Sequence, residues 1–316
     1  MRSKLTIVFL FFAVVSRADF REFQQLAVDP SLETKMRHAA ETSLQQFPAL
    51  KPEDLAITIV DLTNANAIGR GDYHGDANFY PASVIKIFFM VDTFLQNKFD
   101  LPDVPRAMRE MIGQSDNDAT AYIVDILAET EPGPDLDAKA LQKFIAQRRR
   151  INDDFRRHLY DISAMMKPWS FGPFGRDRQA LGPNRENRNR LTANTTTSLM
   201  LWIARRRAPS SDLMLAFLAR PIHPTTPEEN QVKDFIGEAL PQGAKLWSKA
   251  GWTSEVRHDT AYFEVPDGRK FALTIFTRGQ ASETKLIPAI ARNVLTELGI
   301  TPAPAAPTPP APAPTP

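Results

Sequence analysis

The stretch from Ser83 to Gln96 constrains the fold more than any other part of this 316-residue chain. Val84, Ile85, Ile87, Phe88, Phe89, Met90 and Val91 leave no polar face, and in the first two turns only Ser83 and Lys86 interrupt them. A helix that is apolar all round has to lie inside a sizeable core. The composition, 43% apolar and 24% charged, supplies one. There is no cysteine, so core burial rather than disulfides must stabilise the chain. Thiol nucleophiles, iron–sulfur clusters and thiolate zinc sites are excluded with it.

Periodicity elsewhere predicts the partners of that helix. Leu32 to Gln46 has helical spacing, with Ser31 as N-cap and Glu33–Arg37 as an i, i+4 pair. Leu55 to Leu62 alternates as a strand, and Ala67 to Tyr73 returns as its hairpin partner across Thr63 to Asn66. Helices are predicted at Val104 to Ile112, Ala119 to Ala128, Ala138 to Arg149 and Thr196 to Arg207. Strands follow at Leu246 to Lys249, Thr260 to Val265 and Phe271 to Phe276, with Pro266-Asp267-Gly268 as the turn between the last two. Glu283 to Leu298 closes the chain as a helix. This order gives an α+β fold: an antiparallel sheet flanked by the terminal helices, an all-helical lobe of about residues 84–210 inserted in it, and a cleft between the two.

Both ends lie outside that domain, which spans residues 19–300. Arg2 and Lys4 precede the apolar run Leu5 to Val15, and Ser16-Arg17-Ala18 offers small residues for cleavage, so residues 1–18 read as a signal peptide. The run is too short to span a bilayer. The expected product is exported, periplasmic or extracellular, with no integral membrane span. Thr301 to Pro316 contains only Thr, Pro and Ala and reads as an extended tail.

Formal net charge is +1, and removing the leader takes away three basic residues and no acidic one, leaving 35 against 37. That balance favours no nucleic-acid partner. The runs Arg148 to Arg150 and Arg205 to Arg207 read as solvated helix faces, since no stacking aromatics interleave with them. His38, His74, His158, His223 and His258 form no ligand pair, so no metal is expected. A monomer is expected.

Three short motifs carry chemistry. Ser83-Val84-Ile85-Lys86 opens the apolar helix and puts hydroxyl and amine on one face, a turn apart. Desolvation among Ile85, Ile87, Phe88 and Phe89 lowers a lysine's pKa and fits it to be the base a serine nucleophile needs. Ser115-Asp116-Asn117 lies between two helical segments and also has the look of a helix N-cap. Lys249-Ala250-Gly251 ends a predicted strand ahead of Trp252, and glycine there marks close approach of another backbone.

In this order the three resemble Ser-x-x-Lys, Ser-Asp-Asn and Lys-Thr-Gly, the set shared by class A β-lactamases and penicillin-binding proteins. Tyr80 to Lys86, Met111 to Ala119, Asn194 to Thr197, and Lys249 to Gly251 followed by Arg257 to Ala261 are similar to class A segments over roughly Ser31 to Leu298. The resemblance implies a β-lactamase/transpeptidase-like fold with Ser83 as nucleophile, Lys86 as proton acceptor and Ser115 as proton relay. It implies Asn117 as a ligand of substrate and lysine, and Lys249 as partner of a substrate carboxylate. Ala250, Gly251 and Trp252 would line the substrate, with the N–H groups of Ser83 and Trp252 as oxyanion hole. No cofactor is implied, and the substrate would be a small molecule or peptidoglycan-like.

The chain departs from the family pattern in three places. Ser83 and Ser115 lie closer than usual and Asn117 and Asn194 farther apart, so the helical lobe has been rebuilt. Ala250 replaces a hydroxyl residue, at a cost of about 1 kcal/mol for one substrate hydrogen bond, which Arg257 or Arg278 is placed to offset. The family's deacylating glutamate is represented by Glu186, without the usual following Leu-Asn pair, and by Asp177 as second candidate. The expected activity is β-lactam ring opening through a Ser83 acyl-enzyme. The alternatives are a D-alanyl-D-alanine peptidase or esterase, or a penicillin-binding wall or sensor module with slow deacylation.

Overall fold

The computed structural model describes residues 21–156, 162–169, 172–222 and 231–305; the predicted leader and residues 306–316 of the predicted tail lie outside them. In chain order the strands are β1 (Ala27–Val28), β2 (Leu55–Asp61), β3 (Gly69–Tyr73), β4 (Ala219–Arg220), β5 (Lys245–Trp252), β6 (Val256–Glu264) and β7 (Lys270–Arg278). They form one sheet in the order β1-β3-β2-β7-β6-β5-β4. The predicted sheet is antiparallel throughout; the observed one is antiparallel except that β1 runs parallel to β3.

The helices are α1 (Arg21–Gln25), α2 (Pro30–Gln46), α3 (Lys86–Leu95), α4 (Val104–Arg109), α5 (Asn117–Ala128), α6 (Ala138–Arg156), α7 (Gly175–Leu181), α8 (Ala193–Ala204), α9 (Ser211–Leu218), α10 (Ile236–Ala239) and α11 (Leu286–Glu297). The short elements α1, α7, α9, α10, β1 and β4 carry too little periodicity to have been predicted. The N-cap of α2 is Asp29 rather than Ser31: Asp29 Oδ1 accepts from Ser31 N at 2.8 Å, with Pro30 opening the helix.

Strand period 2 decides what each side chain meets. Leu55, Ile57 and Ile59 of β2 join Leu32 and Met36 of α2 and Ile290 and Val294 of α11 in one core. Ala56 and Val60 point the other way, into the core built on α3, α5 and α8. On that side a polar seam fixes α8 to the sheet: Thr58 Oγ1 donates to Asn194 Oδ1 at 2.8 Å, and Thr197 Oγ1 to Thr274 Oγ1 at 2.7 Å. Covered on both faces, β6 and β7 are buried almost end to end.

The long apolar helix divides in two. Ala82–Ile85 is a single 3-10 turn, and α3 follows with every residue from Lys86 to Phe94 buried. Further on, α4 loosens into a π-helical turn, Glu110–Gln114, which ends at Ser115 in the left-handed region (φ 58, ψ 32). Left-handed backbone at a residue other than glycine is costly, and such positions gather at functional sites.

The lengthened stretch between Asn117 and Asn194 is held by buried charge. Arg148 was expected on a solvated face; it is fully buried, while Arg149 and Arg150 are exposed. Its Nη2 donates to Asp125 Oδ1 and Asp177 Oδ1, both at 2.9 Å, and its Nε to Thr130 Oγ1 at 2.9 Å. Lys167 Nζ completes the cluster on Asp125 Oδ2 at 2.5 Å. These bonds tie α5, α6 and α7 together around a small apolar cluster of Phe144, Met165, Met166 and Ala180. Removing one member of a buried ion cluster strands the others, so Arg148→Ala is expected to lose about 3–5 kcal/mol in urea unfolding. A loss under about 1 kcal/mol, the scale of a surface pair, would contradict this role.

Candidate active site

The segment ahead of Ser83 is fixed from two sides. Phe79 N donates to Leu191 O at 2.9 Å. His258, fully buried on β6, accepts from Thr277 N at its Nδ1 (3.1 Å), which leaves the proton on Nε2 to donate to Tyr80 O at 2.8 Å. Burial lowers the pKa of this imidazole to about 4, so it stays neutral as a structural tie. Ala82 then takes φ 47, and the chain turns sharply into the 3-10 turn that presents half-buried Ser83.

Strand β5 runs against this turn. A Cβ on Gly251 would sit 2.7 Å from Ser83 N and 2.8 Å from Val84 N, which is why only glycine serves there. The same contact brings the end of β5 beside the backbone N–H of Ser83.

Lys86 has no exposed surface. Its Nζ donates to Ser115 O at 2.5 Å, Asn117 Oδ1 at 2.8 Å, Ser115 Oγ at 3.2 Å and Asp116 O at 3.3 Å. Two of these acceptors are backbone carbonyls of the segment that follows the π-helical turn, and Asp116 O also accepts from Thr120 N in the first turn of α5. Burial lowers the pKa of the amine to about 7, against a smaller opposing effect of the Asp116 charge. Lys249, also fully buried, donates from Nζ to Ser115 Oγ at 2.9 Å, Gln231 Oε1 at 2.5 Å and Ala250 O at 2.7 Å. Burial first, then the neighbouring charges of Lys86 and Arg220, push its pKa well down. The Ser115 hydroxyl therefore sits between two buried amines of depressed basicity. Asp116, in the middle of its motif, caps α5 by accepting from Ala119 N at 2.6 Å.

The structure thus brings together Ser83, Lys86, Ser115, Asn117, Lys249 and Gly251. Ala250 is fully buried in the core on the α2–α11 side and offers the groove only backbone. Trp252 ends β5 at 47% exposure, its ring 5.4 Å from that of Phe235. Glu186 does not join them: it is exposed, folded over Gly182, and accepts from Asn184 N at 3.1 Å. Asp177 is committed to Arg148. Arg278 is turned to Asp54 Oδ1 at 2.8 Å, whereas buried Arg257 lies over Phe235 beside the end of β5. Two residues escaped the sequence reading. His258 was one of five scattered histidines, and Gln231 lies in a stretch without periodicity.

Comparison with known proteins agrees with this geometry. The model of the β-lactamase enzyme family matches residues 96–298, well over half of the chain, so the protein belongs to that family as a divergent β-lactamase-like member. The match begins just downstream of Ser83 and Lys86. A search of curated proteins gives no match. Among solved structures, PBP-A is 18% identical with a TM-score of 0.60, covering 87% of this chain and 99% of its own. A β-lactamase from Sphaerobacter thermophilus is 19% identical with a TM-score of 0.58, covering 83% and 97%. A class A β-lactamase representative from Bacteroides cellulosilyticus is 13% identical with a TM-score of 0.54, covering 84% and 98%. At these identities the structures share the fold. Family and fold support a serine β-lactamase-like hydrolase or a penicillin-binding protein, and among the described residues no helix is long and apolar enough to cross a membrane.

The Gly251 contact is directly testable. Gly251→Ala is expected to cost about 1–3 kcal/mol in thermal or urea unfolding, the range for overpacking a tight site. An alanine variant as stable as wild type would mean that β5 and the Ser83 turn do not touch as described.

Proposed function

We propose that the protein is an acyl-serine hydrolase that opens a β-lactam ring or related amide through Ser83. The observation that carries this reading is the Ser115 hydroxyl held between Lys86 Nζ at 3.2 Å and Lys249 Nζ at 2.9 Å. In the proposed sequence Ser83 Oγ attacks the carbonyl carbon and its proton passes to the neutral Lys86 amine. The N–H groups of Ser83 and Trp252 receive the oxyanion. Ser115 gives its proton to the leaving nitrogen as the C–N bond breaks and is reprotonated from the Lys86 ammonium. Asn117 orients both lysine and substrate. The product is a Ser83 ester, the acyl-enzyme.

A second reading concerns the fate of that ester. With Glu186 folded over its own turn and Asp177 bound to Arg148, no carboxylate among the described residues is a hydrogen-bond partner of Lys86 or Ser115. This favours slow deacylation, as in a penicillin-binding wall or sensor module, or a peptidase or esterase that uses another water. The leader pattern supports export, which would place the groove beside peptidoglycan-like substrates.

Intact-mass spectrometry after incubation with benzylpenicillin tests both readings. The expected spectrum has one penicillin-sized adduct on wild type that persists for minutes, and none on Ser83→Ala. Neither adduct nor turnover would sink the hydrolase proposal, and fast turnover without an adduct would sink slow deacylation alone. Because the reactive form of Lys86 is the free amine and its pKa is about 7, acylation should rise with pH through that value and level off above it. Lys86→Arg, which cannot deprotonate, should slow acylation by about 10²–10⁴-fold. A flat pH profile from 6 to 8 would contradict the assignment of the base.

A further inference from the structure

Lys249 has little left to offer a substrate. Even as an ammonium, with three N–H donors, Lys249 has as many acceptors around Nζ, namely Ser115 Oγ, Gln231 Oε1 and Ala250 O, and no surface of the residue is exposed. The shortest of these bonds, 2.5 Å, goes to Gln231, a side chain only 4% exposed. Its orientation is fixed by its other end: Nε2 donates to Gly113 O at 2.8 Å and Ile112 O at 3.2 Å. Flipping the amide would set Oε1 against two carbonyls, so Oε1 must face Lys249. Both carbonyls belong to the π-helical turn that ends at Ser115, and Arg220 Nη2 braces the same turn through Ile112 O at 2.6 Å. Gln231 is thus a strut between the turn that carries Ser115 and the strand that carries Lys249.

At the same end of β5, Ala250 has no hydroxyl, Arg278 is turned to Asp54, and Arg257 lies buried over Phe235 with Nη1 donating to Ala281 O at 3.3 Å. What the end of β5 does expose is the indole of Trp252.

We propose that Gln231 is a positioning residue that holds Lys249 on Ser115 and withholds it from the substrate, so that this site acylates substrates with little regard for a carboxylate. The substrate class is then wider than carboxylate-bearing lactams and includes esters and amides with a neutral group at that end. This rests on the acyl-serine reading of the same site.

The test compares acylation rates for benzylpenicillin and its methyl ester on the full-length protein. In wild type the two should agree within about threefold. Gln231→Leu releases a donor of Lys249, so the acid-to-ester ratio should rise about tenfold, the contribution of one charge-assisted hydrogen bond. Gln231→Met, closest in shape, serves in place of leucine should that variant fail to fold. Merely structural damage would slow both substrates alike and leave the ratio unchanged in every variant, which overturns the proposal. A wild type that already prefers the acid by about tenfold or more, the contribution of that same bond, overturns it too. Wild type that neither compound acylates would instead defeat the acyl-serine reading itself, and this inference with it.

Discussion

Everything at the groove depends on placing an amine where water cannot reach it. Lys86 heads a helix whose neighbours are Ile85, Ile87, Phe88 and Phe89, all buried. A charged ammonium there is penalised by desolvation, and the fold answers with four oxygen acceptors rather than a carboxylate. A carboxylate would have kept the proton on; neutral acceptors satisfy the N–H groups while the pKa falls to about 7. The strained features nearby serve this end. The π-helical turn and the left-handed Ser115 aim that residue's carbonyl and hydroxyl at the amine.

The sheet supplies the fixed side of the groove. Gly251 lets β5 touch the backbone of the Ser83 turn, and neutral His258 joins β6 to Tyr80 just upstream. Gln231 sets the span between β5 and the Ser115 turn. None of these residues belongs to the buried cluster of Arg148, Asp125, Asp177 and Lys167, which holds the enlarged helical part from a different place.

Much of this was legible in the sequence. Alternation in Leu55 to Asp61 states which face of β2 meets which core, because a strand has only two faces. The all-apolar run after Ser83 states that it is buried, and the three short motifs identify the residues that meet in the groove. The rest depended on contacts distant in sequence. Arg148 reads as one of three surface arginines until Asp125, Asp177 and Lys167 arrive from other segments. Ser31 is a sound N-cap by residue type, yet Asp29 followed by Pro30 wins, since proline preorganises the first turn and the carboxylate accepts two N–H groups. Glu186 has the right residue type in the right region, but its loop turns the carboxylate onto Gly182 and Asn184. Gln231 has no local signature at all, because its meaning lies in bonds to residues more than a hundred positions upstream.

Burial among apolar side chains and neutral acceptors lowers the Lys86 pKa to about 7, so that a large share of the side chain is free amine at neutral pH. Titrating its Nζ by nitrogen-15 NMR, with Lys86→Met to assign the signal, measures this property itself. The expected midpoint is near 7. A resonance that stays that of an ammonium to about pH 9 or beyond, close to an ordinary lysine, would contradict it.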